Sequence, residues 1–198
     1  MFLRFVFILL AILPWPLVLF ATAKMPLIPI KSIFQIQNES VDEIITKTGA
    51  YSDHLFGRVF NNKASIVITS FEKNLTALID PNNYFFGFHP REMLAGYLNL
   101  VKFPFVTIPI FIYGFINLKK HKWSLRSAQF LLLCILLLSL LNNFERLDFI
   151  LYFPLVIILI ISTNDLYKNN SLASRYLLFS IPIMIIELIR EIIIFSPK

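Results

Sequence analysis

The chain has one cysteine in 198 residues, Cys134, so no intrachain disulfide can form. Cys134 sits in the middle of an apolar run and reads as a small apolar residue. Any extramembrane part must therefore hold itself by packing or by lying on a membrane, and a disulfide-stapled secreted module is excluded. Glycine is scarce, at five, and no Gly-rich phosphate loop is present. The three histidines, His54, His89 and His121, are scattered without metal-ligand spacing, and no Ser-His-Asp order is recognisable. Neither a metal nor a cofactor is expected. Internal repeats and low-complexity tracts are missing too.

Hydrocarbon is what the chain has in abundance. Hydrophobic residues make up 57% of it and the mean hydropathy is +0.72, more apolar surface than a soluble domain of this length can hide. Apolar runs cover residues 5–23, 103–118, 124–141, 149–162 and 176–195. A span of the bilayer core needs roughly 20 apolar residues, fewer where flanking side chains snorkel. The expected fold is an all-α polytopic bundle of about five transmembrane helices, with one small helical outer segment between the first and second. The expected division is 1–23 as the first helix, 24–95 as an extracytoplasmic segment and 96–198 as a four-helix transmembrane region. The first run admits two readings. Arg4 with Ala21-Thr22-Ala23 has the form of a cleavable signal, whereas its length, broken by Pro14 and Pro16, suits a retained anchor.

Charge distribution sets the topology. The net charge is +6, and four cations crowd one joint: Lys119, Lys120, Lys122 and Arg126. Clustered Lys and Arg beside a span mark the cytoplasmic face, where they meet anionic lipid headgroups. No nucleic-acid footprint is visible. Residues 24–102 hold eight Lys/Arg against seven Asp/Glu, so the segment is nearly neutral and is placed outside the plasma membrane. The joint from Asn142 to Asp148 is also placed outside, and Lys168 inside.

Local signals mark helices in the outer segment. Ser40-Val41-Asp42-Glu43 is a capping box that predicts a helix over 41–48, stopped by Gly49. Thr69-Ser70-Phe71-Glu72 predicts a second one, followed by Phe71, Leu75, Leu78 and Ile79 at helical spacing and a turn at Asp80-Pro81. Residues 64–69 fit either a strand or a helix. Pro90 suits a first helical position, and Lys102-Phe103-Pro104 marks a bend. Asn38-Glu39-Ser40 and Asn74-Leu75-Thr76 are glycosylation sequons of a kind that arises often by chance.

Three features could carry chemistry. Four aromatics lie between Tyr84 and Phe88, followed by His89, Pro90, Arg91 and Glu92. Aromatics anchor a segment at headgroup level, and Arg grips phosphate bidentately. Glu145-Arg146-Leu147-Asp148 joins two spans on the same expected side, and its arginine serves either an internal salt bridge or an anionic headgroup. Glu187, Arg190 and Glu191 share one helical face, as charges paired at a helix end or as intramembrane functional groups.

The order Phe85-Phe86-Gly87, then His89-Pro90-Arg91, Gly96-Tyr97-Leu98, Pro104-Phe105 and Gly114 resembles part of the GT-C membrane glycosyltransferases. These are the protein-mannosyltransferase and aminoarabinose-transferase type. Arg146-Leu147-Asp148-Phe149 through Tyr152-Phe153-Pro154 is similar to their outer hairpin, so the likeness covers about residues 74–162. The resemblance implies a polyprenyl-phosphate-linked sugar held at the outer face. Ligand-binding residues would be His89, Arg91, Arg146, Tyr84 and Phe86. That family has about twice as many spans, and its catalytic carboxylate lies close behind the first helix. Here residues 26–37 hold no acid, and Glu39, Asp42 and Glu43 come later. The chain therefore resembles a shortened relative or the C-terminal part of such an enzyme. No residue is assigned a catalytic role, and a protein partner would supply the missing spans. A different class competes: a non-enzymatic membrane subunit or envelope assembly factor whose outer segment binds a protein. Transport is a third, for which five spans with few polar residues make a poor path.

Overall fold

The first apolar run folds as two helices joined at Pro14, α1 (Phe2–Ile12) and α2 (Pro14–Lys24). Proline is tolerated at the first turn of a helix because its missing N–H has no intrahelical partner there. The structure, a computed structural model, describes residues 2–24, 29–35, 46, 62–87, 100–169 and 171–195. The predicted helix over 41–48 and the helix start at Pro90 lie outside these, apart from Thr46, which is helical.

Helix α3 (Lys63–Ile79) starts six residues before the predicted capping box. Asn62 Oδ1 accepts from Ser65 N at 2.9 Å, and Asn62 N donates to Ser65 Oγ at 3.2 Å. Two orphan donors are thereby satisfied reciprocally, and no Gly or Pro interrupts the helix until Asp80-Pro81. Residues 64–69 are thus helix, and Thr69-Ser70-Phe71-Glu72 lies inside it. Asp80 ends α3 and caps α4 (Pro81–Phe85) by accepting from Asn82 N at 2.9 Å. Gly87, at φ 69°, turns the chain out of α4 through a left-handed conformation that suits glycine.

The backbone of Lys102 and Phe103 then folds back onto α4. Both amides donate to the Tyr84 carbonyl at 2.9 Å. A 3-10 turn over Phe105–Thr107 leads into α5 (Ile108–Ile116), and α6 (Lys122–Ser139) follows the basic joint. Short 3-10 turns at Phe144–Arg146 and Asp148–Leu151 precede α7 (Tyr152–Asn169) and α8 (Ser171–Phe195).

The architecture is all-α, as expected, but the number of spans is smaller. Among the described residues, three helical stretches are long and apolar enough to cross a membrane: Phe2–Lys24, Lys122–Ser139 and Asp148–Lys168. The expectation of five is corrected to three. The run 103–118 yields only a shorter apolar helix, Phe105–Ile116, because its first residues are tied to α4. The last run lies within α8, which has 25 residues but carries Arg175, Glu187, Arg190 and Glu191.

Helix α7 is central, with α5 and α6 on its flanks, and α1 packs against both α7 and α8. Phe7 and Ala11 of α1 are fully buried, as are Ile158 and Leu159 of α7. Between apolar helices in lipid, close packing rather than water exclusion drives association, and small residues permit it. Gly114 of α5 is such a point: a Cβ there would collide with Ser162 Oγ and lie 2.9 Å from Ile158 Cγ2.

Two ends can be told apart. At one, α3 lies along α6, and Asn74 Nδ2 donates to the carbonyls of Ser139 and Leu141 at 3.0 and 2.9 Å. Asn74 thus satisfies the open end of α6 from inside the fold, and its side chain is buried. The strap 29–35 closes the same end through Ile33 N to Leu140 O and Asn142 N to Lys31 O. This is the hairpin end. At the opposite, basic end, Arg4 lies 5.4 Å from the Tyr167 ring centroid and Tyr113 donates to Asp165 at 2.6 Å.

Candidate functional site

The hairpin end holds a buried polar cluster centred on Lys102. The fold-back onto α4 carries Lys102 fully inside, where Nζ donates to Asn83 Oδ1 at 2.7 Å. Asp148, Glu145 and Glu191 are buried at the same end. Burial holds the Lys102 ammonium down to about 8, against the opposing pull of Asp148 and Glu191. Asp148 accepts from the Tyr152 hydroxyl at 3.1 Å, while its Oδ1 has no hydrogen-bond partner among the described residues. The Tyr84 ring meets Tyr152 edge-on at 6.4 Å, and its hydroxyl donates to Leu78 O at 2.6 Å. Burial raises the Tyr84 phenol above its usual range, so it stays a neutral donor. Such a network is costly to break, because removing one ion leaves its partner uncompensated.

Helix α8 pins this region from the other side with two carboxylates. Glu191 Oε2 accepts from Val101 N at 3.3 Å, and Glu187 Oε1 accepts from Phe105 N at 3.5 Å. Arg190 donates to Glu191 Oε1 at 2.7 Å, with its own side chain 56% exposed. The three charges that share a face in sequence are therefore partly paired with one another, as one of the two readings held. The carboxylates also receive backbone amides on either side of Lys102.

Two cavities flank the cluster and share Phe85 as a wall. The first, of about 490 Å³, is lined only by apolar and aromatic side chains. Leu78 and Ile79 of α3 and Tyr84 and Phe85 of α4 form one side. Phe111 and Phe115 of α5, Leu131 and Ile135 of α6 and Leu155 of α7 form the other. Its size falls within the roughly 300–1,000 Å³ typical of ligand sites. The second cavity, of about 390 Å³, lies between Phe85, Phe86 and Phe105 on one side and Ile183, Ile186, Glu187 and Arg190 of α8 on the other.

Of the five residues expected to bind ligand, the structure describes Tyr84 and Phe86 in full. Tyr84 lines the apolar cavity while anchoring its hydroxyl inward. Phe86, 45% exposed, lines the second cavity. Arg146 lies in the 3-10 turn Phe144–Arg146, between the buried acids Glu145 and Asp148. His89 and Arg91 lie outside the described residues, so their approach to Arg146 is not part of the observed geometry. Lys102 and Asn83 were not anticipated. The available signal was a lone lysine between Val101 and Phe103, at the head of an apolar run where a snorkelling cation would be ordinary.

The basic end is organised differently. His121 Nε2 lies 3.6 Å from Asp165 Oδ1, an ion pair when the imidazole is protonated. Lys120 sits 5.8 Å from the Tyr113 ring and Arg126 5.5 Å from the Trp123 ring. Aromatic groups thus hold the cations of the joint, an arrangement suited to anionic headgroups. Among the described residues no group of three or more His, Cys, Asp or Glu could hold a metal ion. No protein-family model matches the chain, and no curated protein or solved structure matches it either.

Proposed function

We propose that this membrane protein binds a long-chain isoprenoid phosphate lipid at the outer half of its bundle. The ligand is of the polyprenyl-phosphate-linked sugar class that the GT-C resemblance implies. The observation that carries this reading is the 490 Å³ cavity, whose lining from α3 to α7 is entirely apolar and aromatic. A hydrocarbon chain fits that lining with no polar group left unsatisfied. The phosphate would lie at the mouth, gripped by Arg91 and Arg146 with His89 beside them, since Arg matches phosphate bidentately. In this reading the chain holds the lipid, and a partner carrying further spans and a general base would complete any sugar transfer.

Native mass spectrometry of the full chain, released from nanodiscs doped with polyprenyl phosphate, tests the proposal. Ile112 lines the cavity and is 55% exposed, so Ile112→Trp can fill it without rebuilding the core. The wild type should retain polyprenyl phosphate, and Ile112→Trp should reduce retention by about tenfold. Arg91→Lys should also weaken it, through loss of the bidentate fork. Equal retention by the wild type and Ile112→Trp would overturn the proposal. The non-enzymatic subunit whose outer segment binds a protein partner would then be the better reading.

A further inference from the structure

The second cavity has a chemistry that the isoprenoid lipid does not use. Three aromatic rings, Phe85, Phe86 and Phe105, face Glu187 and Arg190 across it. Glu187 Oε1 is held by Phe105 N at 3.5 Å, but Oε2 is buried and has no hydrogen-bond partner among the described residues. A buried, unpartnered carboxylate oxygen is costly unless a donor arrives. Aromatic rings around a carboxylate form the surroundings that an organic ammonium prefers, because each ring presents its negative face to the cation. Arg190 follows three residues later on the same helix face, roughly 5–6 Å away between Cβ atoms. Two of its guanidinium nitrogens donate to Glu191 Oε1, and its side chain remains 56% exposed. A buried carboxylate oxygen and a half-exposed guanidinium therefore line the same cavity.

We infer that this cavity is a binding site for a zwitterionic phospholipid headgroup, one with an ammonium and a phosphate separated by a short linker. The ammonium enters between Phe86 and Phe105 and donates to Glu187 Oε2. The phosphate lies against Arg190. The acyl chains run along the flank of α8, where Ile186 is 67% and Ile193 68% exposed. Charge complementarity selects the occupant. An anionic headgroup with a polyol in place of the ammonium satisfies Arg190 and can offer a hydroxyl to Glu187 Oε2, but it brings no cation to the carboxylate and the rings. The site is separate from the isoprenoid cavity, with which it shares only the Phe85 wall.

The full-length protein in nanodiscs made from equal parts phosphatidylethanolamine and phosphatidylglycerol of matched acyl chains, doped with polyprenyl phosphate, provides the test. Lipids retained on the protein are counted by native mass spectrometry. The wild type should retain phosphatidylethanolamine over phosphatidylglycerol by about fivefold, the scale expected of a desolvated cation–aromatic contact. Glu187→Gln should bring that ratio to about one, while phosphatidylglycerol retention stays. Glu187 also holds Phe105 N, so a second variant guards against a folding defect. Phe105→Leu keeps the apolar wall and the backbone amide that Glu187 holds, removes a ring and should lower the ratio by about twofold. Polyprenyl phosphate retention, read on the same samples, should be unchanged in both variants. A wild-type ratio near one, or a preference untouched by both substitutions, overturns the headgroup site. Loss of preference with polyprenyl retention intact separates the two proposals.

Discussion

Lys102 is the residue on which the hairpin end turns. Its ammonium is buried and donates to Asn83, and removing it takes away a positive charge that acts on the buried Asp148. Lys102→Met should cost about 1–3 kcal/mol of unfolding free energy in detergent, from the lost donor to Asn83 Oδ1 and the lost attraction to Asp148. Adding Asp148→Asn, which keeps an acceptor for the Tyr152 hydroxyl, should recover part of that loss. A double mutant no more stable than the single one would show that Asp148 does not depend on Lys102. The pH dependence has a defined sign. Lys102 loses its proton near pH 8 in the folded protein, whereas an unfolded lysine keeps it to about 10.4. Between those values the unfolded state binds more protons, so this group's contribution to stability rises with pH. Unfolding measured from pH 8 to 9.5 should show that rise in the wild type, and Lys102→Met should lack it.

Helix contacts carry a prediction of their own. Gly114 lets α5 approach α7 so closely that the Ser162 and Ile158 side chains occupy the space a Cβ would need. Gly114→Leu should force the pair apart and cost about 3 kcal/mol, whereas Gly114→Ala should cost about 1 kcal/mol. Thermal unfolding in detergent reads both, and a silent Gly114→Leu would contradict the close approach. At this scale the sequence was a partial guide. Apolar runs located the helices, because hydrocarbon length is a local property. The start of α3 was misplaced because its true cap uses Asn62 and Ser65, whereas a search for Glu or Gln at the third position selects Thr69 to Glu72 instead. The run at 103–118 looked long enough to span, but only the fold-back of Lys102 and Phe103 onto Tyr84 shortens it, and that contact is not local. Glu187, Arg190 and Glu191 were visible as charges in an apolar run. Their use, receiving the amides of Val101 and Phe105, joins residues 82 and 90 positions apart, beyond the reach of any motif.

Across the whole molecule, polarity is segregated by end. Aromatic-held cations, with His121 and Asp165, gather at the basic end. The buried Lys102 cluster, both cavities and the Asn74 and 29–35 closures gather at the hairpin end. The lipid proposals require those ends to lie on opposite sides of a bilayer, with the basic end in the cytoplasm. Cysteine accessibility in intact cells tests that arrangement most directly. On a Cys134→Ser background, Lys63→Cys marks the exposed start of α3 and Lys120→Cys marks the basic joint. A membrane-impermeant maleimide should label Lys63→Cys in intact cells and Lys120→Cys only after permeabilisation. Labelling of Lys120→Cys in intact cells, or of neither site until permeabilisation, would contradict the account.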